Sequence, residues 1–290
     1  MPELVDHFCK LFADDSKLIA IIRNSVDQAV LQSDLDKLVD WSVKWKLGFN
    51  EDKCKVMNIG NSAIGKTVLS MKSSSGEIKE LNETLVERDL GIMLNHKLNW
   101  KDQVDNAVQR AQYAFVMLKR TFKHWNAKMF VRLYKAYVRP HLEYCVVAWS
   151  PFRKRDVFRL EQVQRRATKL VPKLRNMNYE SRLANLELPT LEERRRRGNL
   201  IQQFKFAKKV NTINWFYDNL SGDGKDAPKP STRSFSRSHQ YQMNSQFTRM
   251  DRRAHFFTNR VVNYWNDLTS NVVSAETVNG FKNRLDKFCK

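Results

Sequence analysis

The stretch HFCKLFADDSKLIAII, residues 7–22, decides the fold class of the first part of the chain. Apolar residues run up to Ala13 and resume at Leu18, and Asp14 and Asp15 lie between them. Two apolar runs separated by a short polar break are typical of a β-hairpin. We therefore predict two antiparallel strands with both aspartates at the turn.

The paired aspartates are an unusual choice for a hairpin tip. Short hairpin turns favour Asn-Gly or Asp-Gly, because glycine tolerates a positive φ. Two adjacent like charges gain nothing structurally there, whereas Mg²⁺ binds through one or two carboxylates plus substrate phosphates. The alternative is a solvated polar turn, and the four letters FADD, residues 12–15, do not exclude it.

A long amphipathic helix is predicted over residues 25–47, after the hairpin. Ser25 can cap its start and Gly48 can end it. The apolar stripe of this helix consists of Val26, Ala29, Val30, Leu38, Trp41 and Trp45. Short strands are predicted within residues 53–59, 67–72 and 88–94.

Beyond Trp100 the apolar periodicity becomes helical. The stripe in residues 100–122 is Val104, Ala107, Val108, Ala111, Phe115 and Leu118, and that in residues 126–139 is Phe130, Leu133, Tyr134 and Tyr137. Pro140 is expected to end the second helix, because proline has no backbone N–H to donate. Further helices are predicted at residues 154–170, 190–209, 255–267 and 276–288, and a linker at residues 221–250.

Residues 60–67, GNSAIGKT, spell the phosphate-binding pattern G-x-x-x-x-G-K-[ST]. A P-loop needs a helix directly after its Lys-Thr pair, because the helix N-terminus supplies N–H groups to the phosphates. Residues 68–77, VLSMKSSSGE, have no helical periodicity, and no later apolar strand ends in a Mg²⁺-binding aspartate. The pattern therefore favours a loop between two antiparallel strands, with Gly60 and Gly65 at positive φ, over a P-loop NTPase.

The net charge of +20 is unevenly distributed along the chain. Residues 1–60 contain 8 Lys+Arg and 10 Asp+Glu, so the other 230 residues carry +22. Such a basic body indicates a polyanionic partner, with nucleic acid as the first candidate and an anionic membrane surface as the second.

The remaining composition indicates an intracellular protein, nuclear or cytoplasmic. The four cysteines are isolated, which predicts free thiols. No apolar run approaches the roughly 20 residues of a membrane span. The first ten residues, MPELVDHFCK, are too mixed for a signal peptide.

Several ordered motifs resemble the reverse transcriptases of non-LTR retrotransposons, most closely the jockey-like group. Phe12-Ala13-Asp14-Asp15 looks like the metal-binding palm hairpin, and Leu90-Gly91 looks like the opening of the strand pair that leads into the thumb. The next palm motif is matched by Leu47, Phe49, Asn50, Lys53 and Cys54. The thumb and tail are matched at residues 134–151, 160–171, 188–205 and 256–288, so that the resemblance spans essentially all 290 residues.

The resemblance implies an α+β fold, in which a small antiparallel palm-like sheet with a packed helix precedes a mostly α-helical thumb and C-terminal region. The implied regions are a partial palm at residues 1–98, thumb-like helices at 99–150, a basic helical region at 151–220, the linker, and C-terminal helices at 251–290.

The resemblance also implies chemistry at the hairpin. Asp14 is the principal Mg²⁺ ligand and Asp15 its partner, in RNA-directed DNA polymerisation. Lys53 is a candidate proton donor to pyrophosphate, with a solvated strand lysine as the alternative. The family's third aspartate and its fingers domain precede this hairpin, and only eleven residues precede Phe12 here. The chain therefore resembles the C-terminal part of the polymerase, which is expected to be inactive alone and to need the missing N-terminal half.

The family's thumb grips the backbone of the template–primer duplex, which assigns contacts here to Lys119, Arg120 and Lys123. Basic pairs and runs elsewhere are typical of phosphate contacts, although Glu192 and Glu193 could neutralise the longest run as a helix face. They include Arg165, Arg166, Arg194, Arg195, Arg196 and Arg197. Core positions are expected for Trp149, Trp215 and Trp265. A non-catalytic nucleic-acid-binding module is the alternative function, and a P-loop NTPase is the third.

Overall fold

The computed structural model describes residues 2–60, 65–72, 76–211, 239, 241–245 and 247–289. The chain packs as two compact units, which are described separately: the sheet unit, Met1–Asn99, and the helical unit, Trp100–Lys290. Helices and small sheets are both present, so the fold is mixed and of the α+β kind. Trp215 and most of the predicted linker, residues 221–238, lie outside the described residues.

In the sheet unit the described strands form four two-stranded sheets. The strands are β1 (Phe8–Phe12), β2 (Asp15–Ile19), β3 (Lys55–Val56), β4 (Ser70–Lys72), β5 (Ile78–Glu80), β6 (Asn82–Glu83), β7 (Val86–Asp89) and β8 (Ile92–Asn95). The pairs β1–β2, β4–β5 and β7–β8 are antiparallel, and β3–β6 is parallel. The predicted hairpin is confirmed, and the strands after it are shorter than predicted.

Helix α1 (Ser25–Lys44) packs on these sheets with a different face from the one predicted. Asn24, not Ser25, is the N-cap, since its side chain accepts from the N–H of Asp27. The helix ends before Gly48 is reached, with Lys46 in left-handed backbone. Its buried side chains are Leu31, Asp34, Leu35, Leu38, Val39 and Ser42, whereas Val26, Val30 and Trp45 of the predicted stripe are exposed.

The core of the sheet unit is small and lies between α1 and the strands. Its buried members are Leu31, Leu35, Val39, Leu69, Met71 and Leu81. The amide of Gln32 pairs with both backbone groups of Ser70, accepting from N at 2.9 Å and donating to O at 2.8 Å. This pair fixes α1 against β4, and Leu18 of β2 packs on the same core.

The helical unit contains eleven described α-helices in succession. They are α2 (Lys101–Thr121), α3 (Ala127–Leu133), α4 (Arg139–Glu143), α5 (Lys154–Ala167), α6 (Tyr179–Leu186), α7 (Leu191–Ala207), α8 (Asp251–Ala254), α9 (Phe257–Arg260), α10 (Val262–Asn266), α11 (Ser270–Val273) and α12 (Val278–Phe288). Short 3₁₀ turns cover Thr168–Leu170 and Pro172–Leu174. Among these helices, none combines the length and apolarity that crossing a bilayer requires.

Pro140 does not end the helix as predicted. The chain continues from α3 through a π turn, Tyr134–Val138, into α4, which has Pro140 in its first turn. The N–H of Arg139 donates to the carbonyl of Tyr134, which is the bond of a π turn. Pro140 is tolerated in the first turn of α4, because the N–H groups of a first helical turn have no acceptor within that helix. The π turn keeps the buried side chains four residues apart, at Phe130, Tyr134, Val138 and Leu142, so that Tyr137 of the predicted stripe is exposed.

The remaining helices follow the predicted pattern more closely. Thr190 and Glu193 form a capping box at the start of α7. The predicted segment 255–267 is broken into α9 and α10 rather than one helix. Trp149 and Trp265 are fully buried, as predicted, and Trp265 lies in the C-terminal core beside Phe281.

Candidate metal site and nucleic-acid interface

The tip of the β1–β2 hairpin carries both predicted aspartates. Phe12 pairs with Asp15, so that only Ala13 and Asp14 form the loop. Ala13 has φ of 52°, a left-handed value that favours glycine in the first position of a two-residue hairpin turn. Non-glycine residues in such backbone are strained and cluster at functional sites.

Both carboxylates at the tip are exposed. Among the described residues, no Lys, Arg or His forms an ion pair with Asp14 or Asp15. Mg²⁺ usually keeps several waters and binds through one or two carboxylates together with a substrate phosphate. The carboxylates of Asp14 and Asp15 are donors of this kind and number. Within the described residues no group of three His, Cys, Asp or Glu side chains converges, so the two aspartates would hold the ion without further protein carboxylates.

Lys17 connects the hairpin to a second hairpin of the same unit. Its ammonium group pairs with Asp89 at the end of β7, directly before the turn of the β7–β8 hairpin. Leu90 and Gly91 form that two-residue turn, with φ of 45° and 84°, rather than opening the strand pair. The ion pair joins the middle of β2 to the tip of the second hairpin, a contact that sequence reasoning missed.

Asp34 anchors the start of β1 and is the second residue that sequence reasoning missed. Asp34 lies in α1, and although it is an acid its side chain is 0% exposed. One oxygen accepts from the backbone N–H groups of Asp6 and His7, each at 2.9 Å, and from Nδ1 of His7 at 2.8 Å. The other accepts from Lys37 at 2.9 Å. The sequence contains a signal for this anchor, because Asp34 lies beside Leu31 and Leu35 on the apolar side of α1.

These hydrogen bonds determine the charge state of Asp34. Burial raises the pKa of its carboxyl, but the bonds from Lys37, from His7 and from the backbone of Asp6 outweigh burial and lower the pKa to about 2. Asp34 therefore holds β1 against α1 as a carboxylate.

The other sequence-predicted residues of the sheet unit lie outside this arrangement. Lys53 is exposed in the turn before β3. Lys66 of the GNSAIGKT segment pairs with Glu83, and Thr67 leads into β4 rather than a helix. Since β3 and β4 belong to different sheets, the segment does not join an antiparallel pair as predicted. A P-loop requires a helix directly after Thr67, and the next described element there is the strand β4.

In the helical unit, the predicted thumb contacts are accessible. Lys119 and Arg120 are exposed in the last turn of α2, and Lys123 is exposed two residues beyond its end. The buried stripe of α2 ends at Ala111, so that the second half of the helix presents more of its side chains to solvent. These three cations therefore extend from an accessible helix end.

The four consecutive arginines of α7 have different surroundings. Arg194 forms a bidentate pair with Glu143, and Arg197 forms one with Asp286 at 2.6 and 2.8 Å. Arg195 is 4% exposed, and burial lowers its pKa. Arg196 is exposed, with its guanidinium 5.5 Å from the ring of Tyr264. Most of the run is therefore engaged within the unit, through partners distant in sequence.

The pair Arg165 and Arg166 lies in the last turn of α5, beside a cavity of about 280 Å³. Lys169 and Arg182 contribute to the same lining. The structure thus brings together one predicted basic pair and two cations that the sequence did not single out.

Comparison with known proteins adds one relative. Uncharacterized protein B0403.1 of Caenorhabditis elegans is 27% identical over 110 residues, which is 37% of this chain and 56% of that protein. The chain therefore spans little more than half the length of this curated relative. No protein-family model matches the chain. No solved structure matches it either.

Proposed function

We propose that the chain acts as the C-terminal part of an RNA-directed DNA polymerase of the non-LTR retrotransposon type, and that it binds template–primer nucleic acid. The observation that carries the proposal is the hairpin tip. Two adjacent exposed carboxylates follow a residue in strained left-handed backbone, on a hairpin tied by Lys17–Asp89 to a second tight hairpin.

In this proposal Asp14 is the principal ligand of Mg²⁺ and Asp15 its partner. When bound, the ion supplies positive charge next to the phosphoryl oxygens and the primer hydroxyl. Lys53 donates a proton to the leaving pyrophosphate. Lys17 and Asp89 position the hairpin, and Asp34 holds the start of β1 against α1. The roles of the hairpin residues rest on the hairpin geometry together with the order of the motifs, whereas the role of Lys53 rests on the order of the motifs alone.

The isolated chain is proposed to bind nucleic acid without extending a primer. Two-metal phosphoryl transfer needs ligands for both ions, and among the described residues no third acidic or imidazole ligand joins Asp14 and Asp15. A polypeptide that supplies the third acidic ligand is the proposed partner that completes the site.

A non-catalytic nucleic-acid-binding module is the second candidate. The observation that favours it is the charge of the helical unit, which has 38 Lys+Arg against 16 Asp+Glu. The helical unit is a different compact unit from the sheet unit that carries the hairpin. Such a unit binds phosphates without any metal. A P-loop NTPase is not proposed, because Lys66 is paired with Glu83 and β4 follows the loop.

Cleavage by bound iron separates these two candidates. Fe²⁺ replaces Mg²⁺ in the full chain bound to an end-labelled primer–template, and ascorbate with peroxide then generates hydroxyl radicals at the ion. We expect DNA cleavage within a few nucleotides of the primer 3′ end. Asp14→Asn/Asp15→Asn should abolish this cleavage without weakening DNA binding, because it removes the ligands and no phosphate contact.

Asp36→Asn/Asp40→Asn is the matched control, since it makes the same charge change at exposed positions of α1. The control should cleave like the wild type. Tight DNA binding with cleavage that is identical in both variants would reject the metal site and leave the non-catalytic module as the function.

A further inference from the structure

The cavity beside the end of α5 is lined mainly by cations. Its walls come from α5, the following 3₁₀ turn and the start of α6, and it measures about 280 Å³. The lining side chains are Gln162, Arg165, Arg166, Lys169, Tyr179 and Arg182. Four of these six are positively charged, and none is a carboxylate. Because like charges repel, an anion between them would stabilise this arrangement.

Arg182 gives the cavity a fixed, buried charge, since its side chain is only 4% exposed. Nε donates to the hydroxyl of Thr168 at 2.9 Å, and the two terminal nitrogens donate to the carbonyls of Met177 at 2.6 Å and of Arg165 at 3.3 Å. All three acceptors are neutral, so these bonds engage three of the five N–H donors without balancing the charge. A buried charge without a counter-ion is costly, and an anion in the cavity would offset that cost.

Tyr179 forms the aromatic wall of the cavity. The guanidinium carbons of Arg165 and Arg182 lie 4.2 and 5.5 Å from the centre of its ring. Such contacts orient both cations against the ring. Nε of Arg165 is buried and, among the described residues, has no hydrogen-bond partner. Arg165 therefore brings a guanidinium whose hydrogen-bonding capacity is not fully used to the lining of the cavity.

Glu161 is the carboxylate next to this group, but it does not line the cavity. One of its oxygens accepts from the hydroxyl of Tyr179, and the other accepts from the backbone N–H of Leu191 at 3.0 Å. Glu161 is thus engaged in joining α5 to the starts of α6 and α7, and it is not part of the lining.

We propose that this cavity binds a phosphate group of a nucleic-acid strand. Arg182 is the fixed cation, and the exposed Arg166 and Lys169 contact the phosphate as it enters. A tetrahedral phosphate accepts charge-assisted bonds from donors on several sides, which matches cations from three elements. A cavity of about 280 Å³ has room for a phosphate together with its ester linkage. The inference rests on the proposed nucleic-acid binding and assigns it a subsite.

A matched pair of double variants of the full chain tests the cavity. Arg166→Gln/Lys169→Gln removes two lining cations, and Lys154→Gln/Arg155→Gln removes the same charge at the exposed start of α5, outside the lining. Affinity for a labelled single-stranded oligonucleotide is measured by fluorescence anisotropy, with inorganic phosphate as competitor at constant ionic strength. The cavity variant should lose about tenfold more affinity than the control, and phosphate should compete in the control only.

A further variant controls for a loss of binding that is caused by misfolding. Gln162→Glu leaves every cation in place and adds a carboxylate to the lining, so it should weaken oligonucleotide and phosphate binding with an unchanged melting temperature. If the first cavity variant melts below the wild type, this variant decides the result.

The outcomes separate the cavity from the proposed function. Equal losses in both double variants, with unchanged phosphate competition, would overturn the cavity and leave nucleic-acid binding standing. Calorimetry showing phosphate binding that only the cavity variant loses, in a wild type that binds no oligonucleotide, would keep a phosphate site and overturn nucleic acid as its source. Competition by polyglutamate equal to that by the oligonucleotide would overturn selectivity for phosphate.

Discussion

The two units of the chain divide acidic and basic chemistry between them. The sheet unit has 13 Lys+Arg against 15 Asp+Glu, whereas the helical unit has 38 against 16. The first presents unpaired carboxylates on a hairpin tip, and the second presents guanidinium and ammonium groups at helix ends. Carboxylates repel a polyanion, and basic groups repel a metal cation. Because the two kinds of group belong to different units, one chain can bind both partners.

The units also differ in how they bury apolar side chains. The hairpin of the sheet unit exposes several large ones, with Phe12 64% exposed, and others at Phe8, Ile19 and Ile21. The helical unit instead encloses Trp149, Trp265, Phe204 and Phe281 completely or nearly so. Since burial of apolar surface is the main source of stability, the helical unit should depend on single core side chains more strongly.

The largest expected effect is therefore on the helical core. Trp265→Ala should cost about 3–5 kcal/mol, because the side chain is fully buried, packs against Phe281 and donates to the carbonyl of Tyr241 at 2.6 Å. Leu35→Ala in the sheet unit should cost about 2 kcal/mol, since its cluster is small and partly exposed. Urea unfolding followed by circular dichroism measures both, and equal costs would contradict the contrast.

A second test uses pH, through Asp34 and His239. Asp34 has a folded pKa of about 2 against an ordinary 3.8, so its stabilisation is complete above 3.8 and is lost as the pH falls toward 2. Burial lowers the pKa of His239 below 6.5, more than its bond to the carbonyl of Trp265 raises it. The helical unit should therefore begin to lose stability as the pH falls below 6.5, and Asp34's contribution should persist to 3.8.

Peptide-resolved hydrogen exchange, corrected for its intrinsic pH dependence, follows the two units separately. Asp34→Ala should cost about 2 kcal/mol at pH 7, because it removes the acceptor of the partly buried backbone donors of Asp6 and His7 and of the His7 ring. That cost should shrink as the pH falls from 3.8 toward 2. If the free-energy cost of Asp34→Ala did not change with pH, the charge of the Asp34 carboxylate would not contribute to stability.

The smallest expected effect concerns surface charge. Lys119→Gln/Arg120→Gln/Lys123→Gln should lower DNA affinity only a few-fold at physiological salt, and should reduce the slope of log affinity against log salt by about 2–3. Lys44→Gln/Lys72→Gln/Lys97→Gln makes the same change on the sheet unit and should leave the slope unchanged. Equal slopes for the two triple variants would remove the assignment of phosphate binding to the helical unit.

Local patterns predicted much of the fold. The hairpin, α5, α7 and α12 follow from apolar spacing and turn chemistry that involve neighbours in sequence. The buried face of α1 did not follow, because it includes the carboxylate of Asp34, whose partners lie 27 and 28 residues earlier. A spacing rule that counts only apolar residues assigns such a position to solvent.

The site was partly predictable for the same reason. The aspartates stand out because they break the chemistry that a hairpin tip prefers, and this needs no tertiary information. The arginine run of α7 could not be interpreted locally, since Glu143 and Asp286 lie 51 and 89 residues away from their arginines. The cavity was missed because its lining comes from two helices and the turn between them.

The π turn at Tyr134–Val138 has a consequence for α7. A helix that passes through one π turn carries an additional residue, and each residue turns the helix by about 100°. Everything after the turn is therefore rotated relative to a continuous α-helix, including Glu143 at the end of α4. Deleting one residue there would swing Glu143 away from Arg194, and an arginine now held by a carboxylate would be released to solvent.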